Sequence, residues 1–199
     1  MARTRANDFE EKQNNLLLTA ARVFANTGME KASMSQIAKE AGVSKSLLYH
    51  YYPSKSELIF AIIMSHLSAL DTQLAEAHDD SLSPEQRLQV LSATVLDAYR
   101  GADDHHKVQL NAALALNPDQ TREITEVERR IVRRFAAVIK DIYPDLDTPE
   151  RPLLTPVTMS LFGMLNWAYM WFRDDGTVSR DEYARIATTI LLEGVKGIR

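Results

Sequence analysis

Apolar residues recur at helical spacing through almost the whole chain, which predicts a protein built of α-helices. Many of the predicted helices begin after a Ser, Thr or Asn that is followed directly by a proline, or three residues later by Glu or Gln. Such side chains accept hydrogen bonds from the free N–H groups of the first helical turn. The predicted helices span residues 7–27, 34–41, 45–52, 55–78 and 155–173, with others starting after Ser83, Asn117, Thr148 and Ser179. No segment alternates like a half-buried strand. The predicted fold class is therefore all-α.

Two short helices joined by a tight turn are predicted between Ser33 and Leu58. Gly42 lies between them, where the chain needs the left-handed backbone that glycine adopts most easily. Ser33, in a capping box with Gln36, can start the first helix, and Ser44 can start the second. Helix, glycine turn, helix is the arrangement that places its second helix in the major groove of DNA.

The second short helix carries side chains suited to DNA. Leu48 and Tyr52 can face inward and anchor it, while the others offer donors for phosphates and apolar groups for thymine methyls. We predict DNA contacts from Ser33, Ser44, Lys45, Ser46, Leu47, Tyr49, His50, Tyr51 and Lys55. Lys55 would bind a phosphate at the start of the following helix. The alternative is that the successive aromatic residues only pack against the helix before them.

This segment resembles the DNA-binding signature of the TetR family of transcriptional regulators. The matching residues are Ile37-Ala38, Ala41-Gly42-Val43-Ser44, Leu48-Tyr49-His50-Tyr51 and Lys55. Ser46 and Leu47 stand where many members have glycine and threonine, and both are expected to face DNA, so the operator sequence does not follow from relatives. The resemblance implies a helix-turn-helix domain over residues 1–53 and a ligand-binding, dimerising domain over residues 54–199.

The net charge of −4 is unevenly distributed. Residues 1–60 hold eight Lys and Arg against six Asp and Glu, whereas the remainder holds 15 against 21. The basic excess lies with the helix-turn-helix, which suits a protein that needs two copies on one operator to gain affinity. Arg3 and Arg5 form either an arm that reaches DNA or a solvated tail.

The segment 155–173 is almost uncharged and must be covered on nearly all sides. We expect a homodimer in which this helix and the last helix form a four-helix bundle with their counterparts, as the resemblance also implies. Two-fold symmetry would place the two recognition helices one DNA turn apart on a palindromic site.

The resemblance also implies a small-molecule pocket bounded by the fourth helix and the helices after it, where an effector shifts the protein away from DNA. The predicted lining consists of aromatic, amide, sulfur and basic side chains: His66, Tyr99, Asn111, Phe162, Asn166, Trp167, Met170, Trp171 and Arg173. Asn111 and Asn166 stand out because a buried amide needs a partner. Asn166 could equally bond across the dimer interface.

The later helices resemble, more loosely, regulators that respond to acyl-CoA thioesters, in particular repressors of phenylacetate degradation. The similar stretches are HHKVQLNAALAL, EVERRIVRRF, NWAYMWFR and DDGTVS. The phosphates of CoA would need bases such as Arg129, Arg130, Arg133, Arg134, Arg173 or His106, although the same arginines also suit the exposed face of an amphipathic helix. The alternative effector is a free aromatic compound, as in multidrug-type sensors that control efflux.

The remaining features argue against other classes of protein. The chain has no cysteine, and its five histidines form no H-E-x-x-H or E-x-x-H motif, so we expect no enzyme, metal or cofactor. His105-His106 is predicted to lie in a polar loop. The absence of a long apolar run or an apolar leader predicts a cytoplasmic protein that does not enter a membrane. A helical adaptor that binds protein through an apolar C-terminal face is a further alternative.

Overall fold

The computed structural model describes residues 2–198, and the side chains of residues 2–11 and of Ala113 lie outside that description, as does the predicted role of Arg3 and Arg5. The described range forms nine α-helices and no β-strand, which confirms the predicted fold class. The helices are α1 (Ala2–Thr27), α2 (Met34–Glu40), α3 (Lys45–Tyr51), α4 (Lys55–Glu76), α5 (Pro84–Ala98), α6 (Asp103–Asn111), α7 (Pro118–Ile142), α8 (Leu154–Trp171) and α9 (Arg180–Lys196).

Capping side chains start several helices where the sequence predicts them. Ser83 and Gln86 form a complete capping box at α5, each side chain bonded to the other's backbone N–H. Ser33 Oγ accepts the Gln36 N–H at α2 over 3.1 Å, as predicted. The second half of that box is missing, because the Gln36 amide donates to Glu40 instead.

The helix predicted after Thr148 begins at Leu154 instead. Thr148 Oγ1 accepts the N–H of Arg151 in a turn, and Asp147 pairs with Pro152 in an isolated bridge. Pro152 restricts Arg151 to extended backbone, so a helix begun at position 149 could not continue. The helix therefore begins at position 154 instead of 149.

The predicted loop at His105-His106 is wrong, because both residues lie in α6. Asp103 and Asp104 occupy its first turn, where negative charge stabilises the free N–H groups and the helix dipole. His106 is only 2% exposed, so α6 packs one of its histidines into the protein interior.

Packing divides the chain into two units, which are described separately. The first contains residues 1–67 and 101–125, and the second contains residues 68–100 and 126–199. Helices α4 and α7 each begin in the first unit and continue without a break into the second. The domain boundary predicted at residue 53 remains a prediction.

In the first unit, α1 packs against α2 and α6, and α2 packs against α3. Its core consists of side chains that are almost fully buried: Leu16, Ala20, Phe24, Ile37, Leu48, Leu58, Ile62 and Val108. In the second unit, α5, α8 and α9 pack together, and Phe135 of α7 meets Phe162 edge to face with 4.8 Å between ring centroids. Arg180 is buried there, paired with Asp174 and donating to the carbonyl of Leu96.

One helix of the described range, α4, is long and apolar enough to cross a membrane by length and composition alone. Its apolar run is interrupted by Ser65, His66 and Ser68, and 39% of the most apolar stretch is buried inside the protein. Core helices meet the same criterion, so the feature is weak evidence for a membrane segment.

Two histidines bring α4 and α6 together within the first unit. The rings of His66 and His105 lie with their centroids 5.7 Å apart. Burial, followed by the nearby imidazoles of His105 and His106, lowers the pKa of His66 from 6.5 to about 4. Burial also lowers the pKa of His105. Both imidazoles are therefore neutral in the folded protein near neutral pH.

We predict that acidification destabilises the protein through His66. The unfolded chain takes up a proton there near pH 6.5, whereas the folded protein does so only near pH 4. The free energy of unfolding is therefore fully present above pH 6.5 and should fall by about 2–3 kcal/mol as the pH drops towards 4. Urea unfolding at several pH values measures this, and His66→Gln should flatten the dependence. An unchanged pH slope in that variant would contradict the assignment.

Candidate functional site

The turn between α2 and α3 is built as the sequence predicts. Gly42 has φ +67°, and the Val43 N–H closes the turn on the carbonyl of Ala38 over 3.0 Å. Ser44 Oγ accepts the N–H of Leu47 over 3.1 Å and caps α3. A positive φ at Gly42 lets the chain change direction within a few residues, so α3 can pack against α2.

One residue of α3 is fully buried, and the rest of the helix faces outward. Leu48 has no exposed surface, and Tyr52, just beyond the helix, is 6% exposed with its hydroxyl accepting from Gln13 Nε2 over 3.1 Å. The burial of both side chains agrees with the prediction that Leu48 and Tyr52 face inward. A seven-residue helix is too short to be stable alone, so its position depends on them.

The outward side of α3 presents a mixed polar and apolar surface, which we call the recognition surface: Lys45, Ser46, Leu47, Tyr49 and His50. Leu47 and Tyr49 are 39% and 41% exposed although they are large and apolar. Lys45 Nζ lies 5.7 Å from the centre of the Tyr49 ring, which keeps the ammonium beside the aromatic face. This combination of donors and exposed apolar groups is what DNA contact requires.

The flanking residues predicted to contact DNA have more constrained roles. Ser33 and Ser44 are exposed, but their oxygens already accept the capping bonds of α2 and α3. Tyr51 is half-buried and lies 5.5 Å from the His50 ring, so it supports the recognition surface from the side. Their contacts with DNA remain predictions.

Lys55 makes contacts within the first unit that the sequence did not indicate. Its ammonium donates to three backbone carbonyls, those of Met29 at 2.7 Å, Glu30 at 3.3 Å and Ala32 at 2.9 Å. An ammonium has three N–H donors, so all of them are engaged. Lys55 is thus a structural clamp on the segment between α1 and α2, and its contact with a phosphate remains a prediction.

A second cluster, which the sequence analysis missed, joins the starts of α7 and α4. Gln120 is 5% exposed, and its Nε2 donates to Glu57 Oε1 over 2.9 Å. Its Oε1 accepts from Ser56 Oγ at 2.7 Å and from the Asn117 N–H at 3.1 Å. The sequence predicts Gln120 as part of a helix start, but nothing local indicates its partners 63 and 64 residues away.

The residues predicted to line a pocket are divided between the two units. In the first unit, His66 is largely buried, but Asn111 is exposed and donates to the carbonyl of Lys107 in its own helix. The prediction of Asn111 as a buried amide is therefore wrong. The side-chain amide of an asparagine can donate to a backbone carbonyl one turn earlier in the same helix, so it needs no partner on another helix.

In the second unit, three of the predicted residues point inward. The Tyr99 hydroxyl donates to Asn166 Oδ1 over 2.8 Å, and Tyr99 is 7% exposed. Burial, with a smaller contribution from Glu128, raises the pKa of Tyr99 above its ordinary range, so the hydroxyl keeps its proton. Phe162 packs in the core against Phe135. The Asn166 carbonyl oxygen is thus used within its own chain.

The other four predicted residues of this helix region lie on the surface of the second unit. Trp167, Met170 and Trp171 are 59%, 57% and 51% exposed, and Arg173 pairs with Asp175 at 3.1 Å. Their predicted place in a ligand pocket remains a prediction. Because α8 is apolar all round, its sequence does not indicate which side faces its own core.

The arginines considered for CoA phosphates are engaged within the second unit. Arg130 and Arg134 both pair with Asp71, at 3.1 and 3.2 Å, and Arg133 donates to the carbonyl of Arg129. The alternative, pairs along the exposed face of one helix, is not what these contacts show, because Asp71 lies on α4 and its side chain is only 16% exposed. Arg130 and Arg134 thus share one carboxylate of their own chain.

Two family descriptions match the chain. Residues 16–62 match "Bacterial regulatory proteins, tetR family", and residues 81–195 match "Tetracyclin repressor-like, C-terminal domain". The first range contains α2, the turn and α3, and the second covers more than half of the chain.

Several similar proteins of known name are transcriptional regulators. The HTH-type transcriptional activator FasR of Mycolicibacterium smegmatis is 34% identical over 88 residues, which cover 44% of this chain and 40% of FasR. The HTH-type transcriptional repressor KstR2 of Rhodococcus jostii is 24% identical over 193 residues, 92% of this chain and 91% of that protein. The chain spans about half the length of several curated relatives that it matches.

A solved structure has the same fold. AibR in complex with isovaleryl coenzyme A and operator DNA superposes with a TM-score of 0.76 at 23% identity, covering 90% of this chain and 97% of that one. The relatives are regulators, which confirms the expectation that the chain is not an enzyme. The helix-turn-helix geometry and both family matches lead to one conclusion: the chain belongs to the TetR family of transcriptional regulators.

Proposed function

We propose that this protein is a homodimeric transcriptional repressor that binds a palindromic operator and releases it when an acyl-CoA thioester binds. The observation that carries the proposal is the recognition surface, an exposed mixed face on a short helix held by one fully buried leucine. A family that acts on chromosomal DNA works where the chromosome lies, which in bacteria is the cytoplasm.

The recognition surface supports DNA binding through two kinds of contact. Lys45 and the hydroxyls of Ser46 and Tyr49 can donate to phosphate oxygens, which supplies affinity that depends on salt. Leu47 and the Tyr49 ring can contact thymine methyls in the major groove, which supplies sequence preference. The two apolar side chains are exposed in the free protein, so binding gains their burial.

The exposed apolar residues of α8 and α9 support dimerisation. Trp167, Met170 and Trp171 of α8, with Ile190 of α9, are each at least half exposed within the second unit. Large exposed apolar side chains grouped on neighbouring helices are typical of protein interfaces. A partner copy with the same two helices would cover them in a four-helix arrangement, and its two-fold axis would match a palindromic operator.

An acyl-CoA effector is supported by the solved neighbour and by the chemistry of the second unit. AibR was crystallised with isovaleryl coenzyme A. In this chain Asn166 uses its carbonyl oxygen to accept from Tyr99, which leaves the amide N–H groups available to donate to a thioester carbonyl. The apolar side chains around it would bury an acyl or aryl group at roughly 25 cal/mol per Å².

The first test of this proposal compares two lysines of the DNA-binding region. Lys45→Met should weaken operator binding and lower the salt slope of the binding constant by about one unit, with unchanged thermal unfolding, because it removes one phosphate contact. Lys55→Met should instead lower the free energy of unfolding by about 1–3 kcal/mol, because three carbonyls lose their donor. The operator is obtained by selection from random duplexes, and binding is titrated at several salt concentrations. If Lys45→Met left the salt slope intact, the recognition surface would be wrongly placed.

A second prediction tests the dimer interface. Ile190→Arg should give monomers in analytical ultracentrifugation and abolish operator binding, because it puts a charge into a dry interface. Leu18→Arg is the matched control, since Leu18 is 52% exposed on α1, and it should remain dimeric. Leu191 is unsuitable, because it is buried within its own unit. A soluble Ile190→Arg variant that stayed dimeric would place the interface elsewhere.

A third prediction concerns the effector. Phenylacetyl-CoA, a medium-chain acyl-CoA, free CoA and phenylacetate are titrated separately into the preformed protein–operator complex. We expect release by a thioester and not by free CoA or the free acid, because only the thioester joins an apolar group to phosphates. Asn166→Leu should weaken that response while leaving operator binding unchanged. Release by phenylacetate alone would favour a multidrug-type sensor, and release by none of the four would reject the proposed effector class.

A further inference from the structure

The amide of Gln120 holds two helix starts together within the first unit. Gln120 is the third residue of α7, and Ser56 and Glu57 are the second and third residues of α4. Both ends of the amide are used: Oε1 accepts two hydrogen bonds and Nε2 donates to a carboxylate. At 5% exposure, water cannot easily replace these bonds, so separating the two helix starts would leave buried polar groups unpaired.

The same residue also caps its own helix. Asn117 Oδ1 accepts the backbone N–H of Gln120 at 2.9 Å, while Gln120 Oε1 accepts the backbone N–H of Asn117 at 3.1 Å. The reciprocal pair fixes the Gln120 side chain relative to the axis of α7. A change in the position of α7 is therefore transmitted through a side chain that has little freedom of its own.

The start of α4 is in turn bound to the segment that precedes the helix-turn-helix. Lys55, the first residue of α4, donates to the carbonyls of Met29, Glu30 and Ala32. Ser33 caps α2 directly after that segment. A continuous chain of hydrogen bonds and backbone thus runs from α7 through Gln120, α4 and Lys55 to the start of α2.

We propose that Gln120 is the positioning residue that couples the effector-binding part of the chain to the DNA-binding helices. Helices α4 and α7 both continue without a break into the second unit, so each can carry a displacement along its axis to its first turn. The hydrogen bonds of Gln120 join the first turns of α4 and α7, so that the two turns move together. The inference rests on the proposed function in one respect, namely that an effector controls operator release.

The test uses Gln120→Met, which keeps the side-chain length and removes the hydrogen bonds. The rescue is the double variant Gln120→Glu with Glu57→Gln, which exchanges the carboxylate and the amide and restores a donor–acceptor pair across the contact. The single variant Gln120→Glu places two carboxylates together and should resemble Gln120→Met. Gln86→Met is the matched control, because Gln86 holds the same position in the capping box of α5 but binds no second helix.

The first measurement needs no effector. Hydrogen exchange is followed at the amides of Gly28 and Ala32, which donate to the carbonyls of Phe24 and Gly28 at 3.0 Å. We expect exchange several-fold faster at both amides in Gln120→Met, wild-type rates in the double variant, and no change in Gln86→Met. Faster exchange confined to positions 54–58 and 117–121 would overturn the proposal, because the disturbance would not reach the DNA-binding helices.

The second measurement is the coupling factor, the ratio of operator affinities without and with phenylacetyl-CoA. We expect Gln120→Met to lower this ratio by about fivefold or more, and the double variant to restore it. A purely structural role would lower stability without changing the ratio, and an unchanged ratio would overturn the proposal. If phenylacetyl-CoA does not release wild-type protein, the effector class fails, and the exchange result alone decides the role of Gln120.

Discussion

The structure of the DNA-binding part of this protein depends on the hydrogen bonds that the carbonyl groups after α1 accept. Helix α1 ends at Thr27, Gly28 follows with φ +86°, and three carbonyls of the next four residues point to one place. The Lys55 ammonium lies at that point and donates one hydrogen bond to each of the three carbonyls. Charge-assisted hydrogen bonds of this kind are stronger than neutral ones, so the connection before α2 is held firmly. The contact therefore fixes the segment that leads into α2, while Leu48 and Tyr52 anchor α3.

The recognition surface shows how a short helix can present unusual side chains. Seven residues cannot form a stable helix alone, and most of those in α3 contribute nothing to a core. Burial of Leu48, the Ser44 cap and the turn at Gly42 compensate, which leaves the outward positions free of any packing requirement. Those positions can therefore change with the operator while the fold stays the same.

Local signals in the sequence predicted much of this structure, and long-range contacts account for what they missed. The starts of α2, α3, α5 and α9 follow from capping side chains that act within three residues. The clamp formed by Lys55 was not predicted, because its acceptors lie 23 to 26 residues earlier in the chain. The exposed side of α8 could not be inferred, since an apolar helix has no polar face to mark solvent. The partners of Gln120 also lie far away in the sequence, so no local pattern predicts them.

The position of the aromatic residues on α8 has a spectroscopic consequence. The chain contains two tryptophans, and both, Trp167 and Trp171, lie exposed on this helix within the second unit. Indole emission depends on the polarity around the ring, so all of the tryptophan fluorescence originates at one exposed apolar surface. The emission maximum therefore reports whether this surface is in water or covered, independently of events at the DNA-binding helices. The two tryptophans thus provide an intrinsic optical probe of whatever covers this surface.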